Sequence, residues 1–228
     1  ITGVFAANDA PNLTGHTVID KTGEHLYPGF ILPNTRLGLR EVNAVNATRD
    51  DTEQGPINAS VQSLISYNTD SELIPTYRFN GVLTAQITPR GSLVAGNSSV
   101  VHMDAWNWED AAIEANDALH INWPEVVLRK TNALEQAIYY EPNENYEVGI
   151  DLLRDLFAEA QAPDSDNLNV QAVQAVLAGE RQLFVHAEDV RQLADAVQFV
   201  KEFAVPRPVL VGASEALSVR DIILEADI

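Results

Sequence analysis

Residues 182–212 constrain the fold more than any other part of the chain. Gln182-Leu-Phe-Val-His186 is a short apolar run, and Pro208-Val-Leu-Val-Gly212 is another. Between them Val190, Leu193, Ala194, Val197 and Val200 recur at helical spacing. A strand apolar at successive positions is buried on both faces, and a helix joining two such strands is the crossover that parallel pairing requires. The segment therefore predicts parallel β/α units. Leu153, Leu156, Phe157 and Ala160 predict a helix with one buried stripe. After a polar hinge at Pro163–Asn167, Val170, Val173 and Leu177 predict a second, shorter helix, ended by Gly179 at the C-terminal capping place. Gly81–Thr88 reads as a strand stopped by Pro89 and Gly91, and Ser98–Asp104 as a further alternating strand. Near the end, Ser218 with Asp221 three positions on makes an acidic version of a capping box before Ile222, Ile223 and Leu224.

Charge and composition narrow the function classes. Asp and Glu number 33 against 14 Lys and Arg, for a formal net charge of -19, so nucleic acid and anionic membrane surfaces are repelled. The acidic residues are spread along the chain and read as a solvated surface. With no cysteine, disulfides, thiolate metal sites and a cysteine nucleophile are excluded. No stretch approaches a membrane span, and the N-terminus lacks a basic region followed by an apolar run. The expected partner is a small molecule, with self-association into a homo-oligomer open and a bacterial periplasmic location favoured over the cytoplasm. The phosphate-binding loop, the Gly-x-Ser-x-Gly elbow and the His-Glu-x-x-His helix are all missing.

The run Tyr27-Pro-Gly-Phe-Ile-Leu-Pro-Asn-Thr-Arg36 carries a family resemblance. It resembles the first barrel strand of the metal-dependent amidohydrolase superfamily, the imidazolonepropionase-like branch especially, which reads Pro-Gly-(Phe/Leu)-Ile-Asp-x-His-x-His. Pro28, Gly29, Phe30 and Ile31 match; Leu32 stands for the Asp, and Asn34 and Arg36 stand for the two metal histidines. An amide oxygen is a feeble ligand for a catalytic divalent ion, and a guanidinium has no free lone pair to give. Thr17-Val-Ile-Asp20 with the Lys21–Glu24 turn resembles the end of the small sandwich preceding that barrel. The resemblance implies an α/β chain with a partial or incomplete TIM-like (β/α) barrel over residues 27–228 and part of a small N-terminal β-sandwich over residues 1–26. A complete barrel takes about 250 residues, and about five or six barrel strands are countable, so the sequence reads as an internal piece of a longer protein; a self-contained open α/β sheet is the rival.

In such barrels the reactive groups sit at the C-terminal ends of the strands. His186 ends its strand, where the family places a metal-holding histidine, and is the candidate catalytic residue and metal ligand; the plain alternative is a hydrogen-bonded strand-end histidine. The next family histidine is replaced by Val211 or Gly212. The cofactor expectation is accordingly divided between one divalent ion, zinc foremost, and none. Asn34, Thr35 and Arg36, with Arg78 and Asn80, form a candidate substrate-binding set of donors for a carboxylate or carbonyl oxygen. Alternatively Arg36 and Arg78 pair with Glu41, Asp50, Asp51, Glu53 and Asp70 to order the long polar segment Asn34–Arg78, a length at which a loop is functional or partly helical. Trp106 and Trp108 either wall a pocket or pack as core or lid. His16, His25 and His120 stand in isolated contexts and read as carrying no chemistry. The resemblance implies hydrolysis of a non-peptide carbon–nitrogen bond, cyclic amides included, with a reduced or lost metal site; the competing reading is a non-catalytic binding or subunit protein on the same scaffold.

Overall fold

The apolar runs form one mixed sheet of six strands. In the computed structural model, which describes residues 3–6, 9, 11–132 and 137–228, the chain runs β1 (Phe30–Thr35), α1 (Ile74–Phe79), β2 (Val82–Ile87), β3 (Val94–His102), α2 (Trp108–Ala111), β4 (Ala112–Asn122), β5 (Val127–Asn132), β6 (Ala137–Pro142), α3 (Tyr146–Ala160), α4 (Leu168–Leu177), β7 (Gln182–Ala187), α5 (Val190–Glu202), β8 (Pro208–Gly212) and α6 (Arg220–Glu225). The sheet order is β1-β2-β3-β4-β7-β8, and β5 pairs with β6 separately. β1 is parallel to β2, and β4, β7 and β8 are mutually parallel, as the continuous apolar strands require; β3 runs antiparallel to both of its neighbours. The sheet curls as a half-barrel. The antiparallel β3 departs from a purely parallel barrel because only a short turn links β2 to β3, too short for a crossover.

Alternation decides which side chains meet the helices. Leu119 and Ile121 of β4 and Leu183, Val185 and Ala187 of β7 join the buried stripes of α3, α4 and α5 in the larger core. Its centre is aromatic: Phe199 packs on Phe157 at 4.8 Å and Phe203 at 4.9 Å, and edge-on to Trp123 at 5.6 Å. The intervening residues, His120 on β4 and Phe184 and His186 on β7, point to the other face. A second core joins Ala85 and Ile87 of β2, Val101 and Met103 to Leu37, Leu39, Leu64, Tyr67 and Ile74. The long polar segment is thus docked rather than free, with 3₁₀ turns at Asn46–Thr48 and Ser63–Ser66 and α1 at its end.

Local expectations fare unevenly. Thr17–Asp20, read as a strand, is exposed and unpaired: among the described residues from 11 to 29 no strand forms, because short apolar alternation holds no strand without a partner. Ser218 does not cap α6. The chain enters α6 through a 3₁₀ turn, Ala216–Val219, so Ser218 is already inside a helical turn with its N–H bonded to Glu215, and Val219 takes the capping position with no side-chain bond. The capping box that does form is at α5, where the Asp189 carboxylate accepts from the Gln192 N–H and the Gln192 side chain accepts in return from the Asp189 N–H. No helix among the described residues is long and apolar enough to cross a membrane.

Candidate functional site

A chain of polar side chains crosses the sheet from β1 to β7 on the face turned away from the helices. At its β7 end, Nε2 of His186 lies 2.9 Å from Nδ1 of His120, which is fully buried. Parallel register brings the two rings together, since Phe184 pairs with His120 and His186 with Asn122. The His120 ring also packs against Phe184, with centroids 4.9 Å apart. Nε2 of His120 meets Ser98 Oγ at 2.8 Å, and Ser98 Oγ donates to Asp117 Oδ1 at 2.7 Å. The other Asp117 oxygen accepts from Gln86 Nε2 at 2.7 Å, and Gln86 Oε1 accepts from the backbone N–H of Asn34 at 3.1 Å. Gln86, Ser98 and His120 are all buried, so these bonds satisfy groups that would otherwise be costly in the sheet interior.

Asn34 is held in a left-handed conformation (φ 49), which Asn tolerates better than most residues, and its carbonyl accepts from the Arg90 guanidinium at 2.9 Å. Arg90 is also bonded through its own N–H to the carbonyl of Asp51, whose buried carboxylate faces Arg36 and Arg40, each at 3.5 Å. Burial, the Arg36 charge beside it and the opposing Asp51 charge set the Arg90 balance, with a net lowering from its usual value. Burial, assisted by the Arg90 charge and opposed by Glu188, holds the His186 pKa down to about 4. His120 is pushed well below the ordinary histidine range, by burial first and then by His186 and Arg90. Both imidazoles are therefore neutral at neutral pH.

The residues singled out from the sequence divide into two groups. Asn34 and His186 stand at opposite ends of the same hydrogen-bonded chain, and Thr35 and Arg36 follow Asn34 at the C-terminal end of β1. Arg78 and Asn80 lie elsewhere. They end α1 and precede β2, and because β1 and β2 are parallel they sit at the opposite end of the strands from Asn34. There Arg78 pairs with Asp104 at 2.8 Å, and the Asn80 amide bonds back to the Thr76 carbonyl. Arg36 and Arg78 line different surface cavities, one of 250 Å³ with Thr35 and Arg40, the other of 230 Å³ with Asp104. Trp106 is 91% exposed, while Trp108 packs against the smaller core.

His120 is the main correction. In sequence it stands isolated, with no partner at ligand spacing, whereas in the fold its partner comes from 66 residues later on the neighbouring strand. The alternation of Leu119 and Ile121 around it was the available signal. Ser98, Asp117, Gln86 and Arg90 gave no local signal, being polar residues of strands and turns joined only by strand pairing.

Among the described residues no group of three or more His, Asp or Glu stands together as metal ligands would. The near nitrogens of His120 and His186 are turned to one another at hydrogen-bond distance, Asn34 and Arg36 cannot replace imidazoles, and Val211, beside His186 in register, carries no donor. The residues present do not fit a binuclear site.

No protein-family model matches the sequence, and no curated protein matches it. Among solved structures, an amidohydrolase from Thermotoga maritima MSB8 superposes with a TM-score of 0.75 at 19% sequence identity, covering 94% of this chain and 60% of that one. The two share a fold over nearly the whole of this chain, which spans 60% of the length of that structure.

Proposed function

We propose that this chain is an amidohydrolase-superfamily protein, imidazolonepropionase-like in its first strand, that binds a small polar ligand where β1, β2, β4 and β7 end. The reaction class nearest to it is hydrolysis of a non-peptide carbon–nitrogen bond. The observation that carries the reading is that Asn34 and His186, drawn from strands far apart in sequence, are the two ends of one hydrogen-bonded chain with Arg90 beside it. His186 is the proton acceptor of the site. Arg90 and Arg36 supply positive charge for a carboxylate or a polarised carbonyl oxygen, and the Asn34–Arg36 turn shapes the approach. The resemblance in fold to the Thermotoga amidohydrolase supports the class of scaffold.

A second reading, a non-catalytic binding or subunit protein, is favoured by one specific observation. The positions expected to hold a metal carry Asn34, Arg36, Val211 and Gly212, a set better made for binding an anion than for activating water. Hydrolysis of an N-acyl and cyclic-amide panel, with and without added zinc or manganese, separates the two. Turnover abolished by His186→Ala supports the enzyme. Ligand binding weakened by Arg90→Gln with no turnover under any metal condition supports the binding protein.

A further inference from the structure

Every bond in the chain from β1 to β7 has a direction, and a backbone group fixes it. The N–H of Asn34 can only donate, so the Gln86 atom facing it is the oxygen, and the Gln86 nitrogen must face Asp117. Asp117 therefore accepts at Oδ2. It also accepts at Oδ1 from Ser98, whose single hydroxyl proton is committed at 2.7 Å; the alternative acceptor, the Ala118 carbonyl, is 3.4 Å away. With its proton spent, Ser98 Oγ can only accept from His120 at 2.8 Å, which places a proton on His120 Nε2. A neutral His120 then has a bare Nδ1, and the proton in its bond to His186 must ride on His186 Nε2.

We propose that Gln86, Asp117, Ser98 and His120 form a relay whose donors all point towards Asp117, and that it holds His186 as its Nε2-protonated tautomer and leaves the Nδ1 lone pair as the atom offered to a ligand. Among the described residues no hydrogen bond engages that nitrogen. Its complement is a proton donor: the N–H of an amide or lactam, or a water molecule. The four residues are positioning residues, acting through His186. That Nδ1 meets a ligand rests on the ligand site proposed above; the proton positions do not.

The relay makes a sharp demand on one isosteric change. In Asp117→Asn the amide oxygen must still accept from Gln86, so its NH₂ turns to Ser98 and donates. Ser98 is then free to donate to His120 Nε2, His120 carries its proton on Nδ1, and His186 becomes the Nδ1-protonated tautomer with its lone pair turned inward.

The test is nitrogen NMR on the full chain with ¹⁵N-labelled histidine. In the unaltered protein the proton between the rings should be bonded to His186 Nε2, with coupling across the bond to His120 Nδ1. In Asp117→Asn it should move to His120 Nδ1. Ser98→Ala, which removes the acceptor of His120 Nε2–H, should leave a mixture of the two arrangements. A proton found on His120 Nδ1 in the unaltered protein overturns the proposal, and so does an Asp117→Asn or Ser98→Ala variant, folded by its amide spectrum, with the original proton position. None of these readings requires a substrate, so a failure of the hydrolase assignment and a failure of the relay are distinguishable.

Discussion

A hydrogen bond of 2.9 Å joins His120 Nδ1 to His186 Nε2 across neighbouring parallel strands, and both rings are held uncharged by burial. This couples stability to acid. An unfolded histidine titrates near its ordinary value of about 6.5, whereas folded His186 titrates near about 4, so the folded form resists protonation. The contribution is fully present above about pH 6.5 and is lost as pH falls from there towards about 4. Discounted for partial exposure, His186 should account for roughly 1 kcal/mol between about pH 7 and about pH 5. Urea midpoints at the two pH values check this: His186→Gln should flatten the fall relative to the unaltered protein, and an unchanged slope would refute it.

Arg90 adds to burial in holding the His186 proton off. Arg90→Gln removes the charge while keeping a donor for the Asn34 carbonyl. The His186 pKa should then rise from about 4 but stay below the ordinary range, because burial is the larger cause. Titration by histidine NMR reads the shift directly. No movement would show that the guanidinium does not act on the ring.

Gly96 lies in β3 with φ 124, at a register shift where the 55–62 loop runs alongside the strand. A Cβ there would stand 3.0 Å from the Val61 carbonyl oxygen and 3.3 Å from that of Asn58. Gly96→Ala should cost about 3 kcal/mol, from backbone strain and contact together, and loosen the loop that Asn97 ties down through the Ala59 and Val61 carbonyls. Gly55→Ala is the control. Its φ of 87 is also left-handed, but nothing lies within 4 Å of the added carbon, so it should cost only about 1–2 kcal/mol. Equal losses in thermal or urea melts would contradict the contact term.

Phe199 is fully buried among Phe157, Phe203 and Trp123. Phe199→Ala should lower stability by about 3–5 kcal/mol. Phe79, 93% exposed, should tolerate Ser with a change within about 0.5 kcal/mol. The urea midpoint of each variant measures the difference.

Periodicity made the helix-side half of the fold legible. The stripes of α3, α4 and α5 and the apolar strands β7 and β8 are local patterns set by burial against one another, and all appear in place. β4 was not read as a strand, because its first half, Ile113–Asp117, is polar and solvated and dilutes the alternation. The β5–β6 pair gave no signal either; its exposed tyrosines and charges follow no single buried face. His186 and Asn34, at the two ends of the hydrogen-bonded chain, stand out in the sequence because each follows an apolar run at a strand terminus. The residues linking them do not. Their partners are set by register between strands, a quantity absent from any window of sequence, and Arg78 and Asn80 were misplaced for the same reason.

The Glu188 carboxylate, bonded to the Ser214 N–H, fills the space next to the α-carbon of Gly212, whose φ is 84. A side chain introduced at 212 must push that carboxylate aside, and it strains the left-handed backbone as well. Substitution at 212 is therefore gated twice, once by the swing of a flexible carboxylate and once by the handedness of the backbone, and only the second barrier outlasts a side-chain rotation.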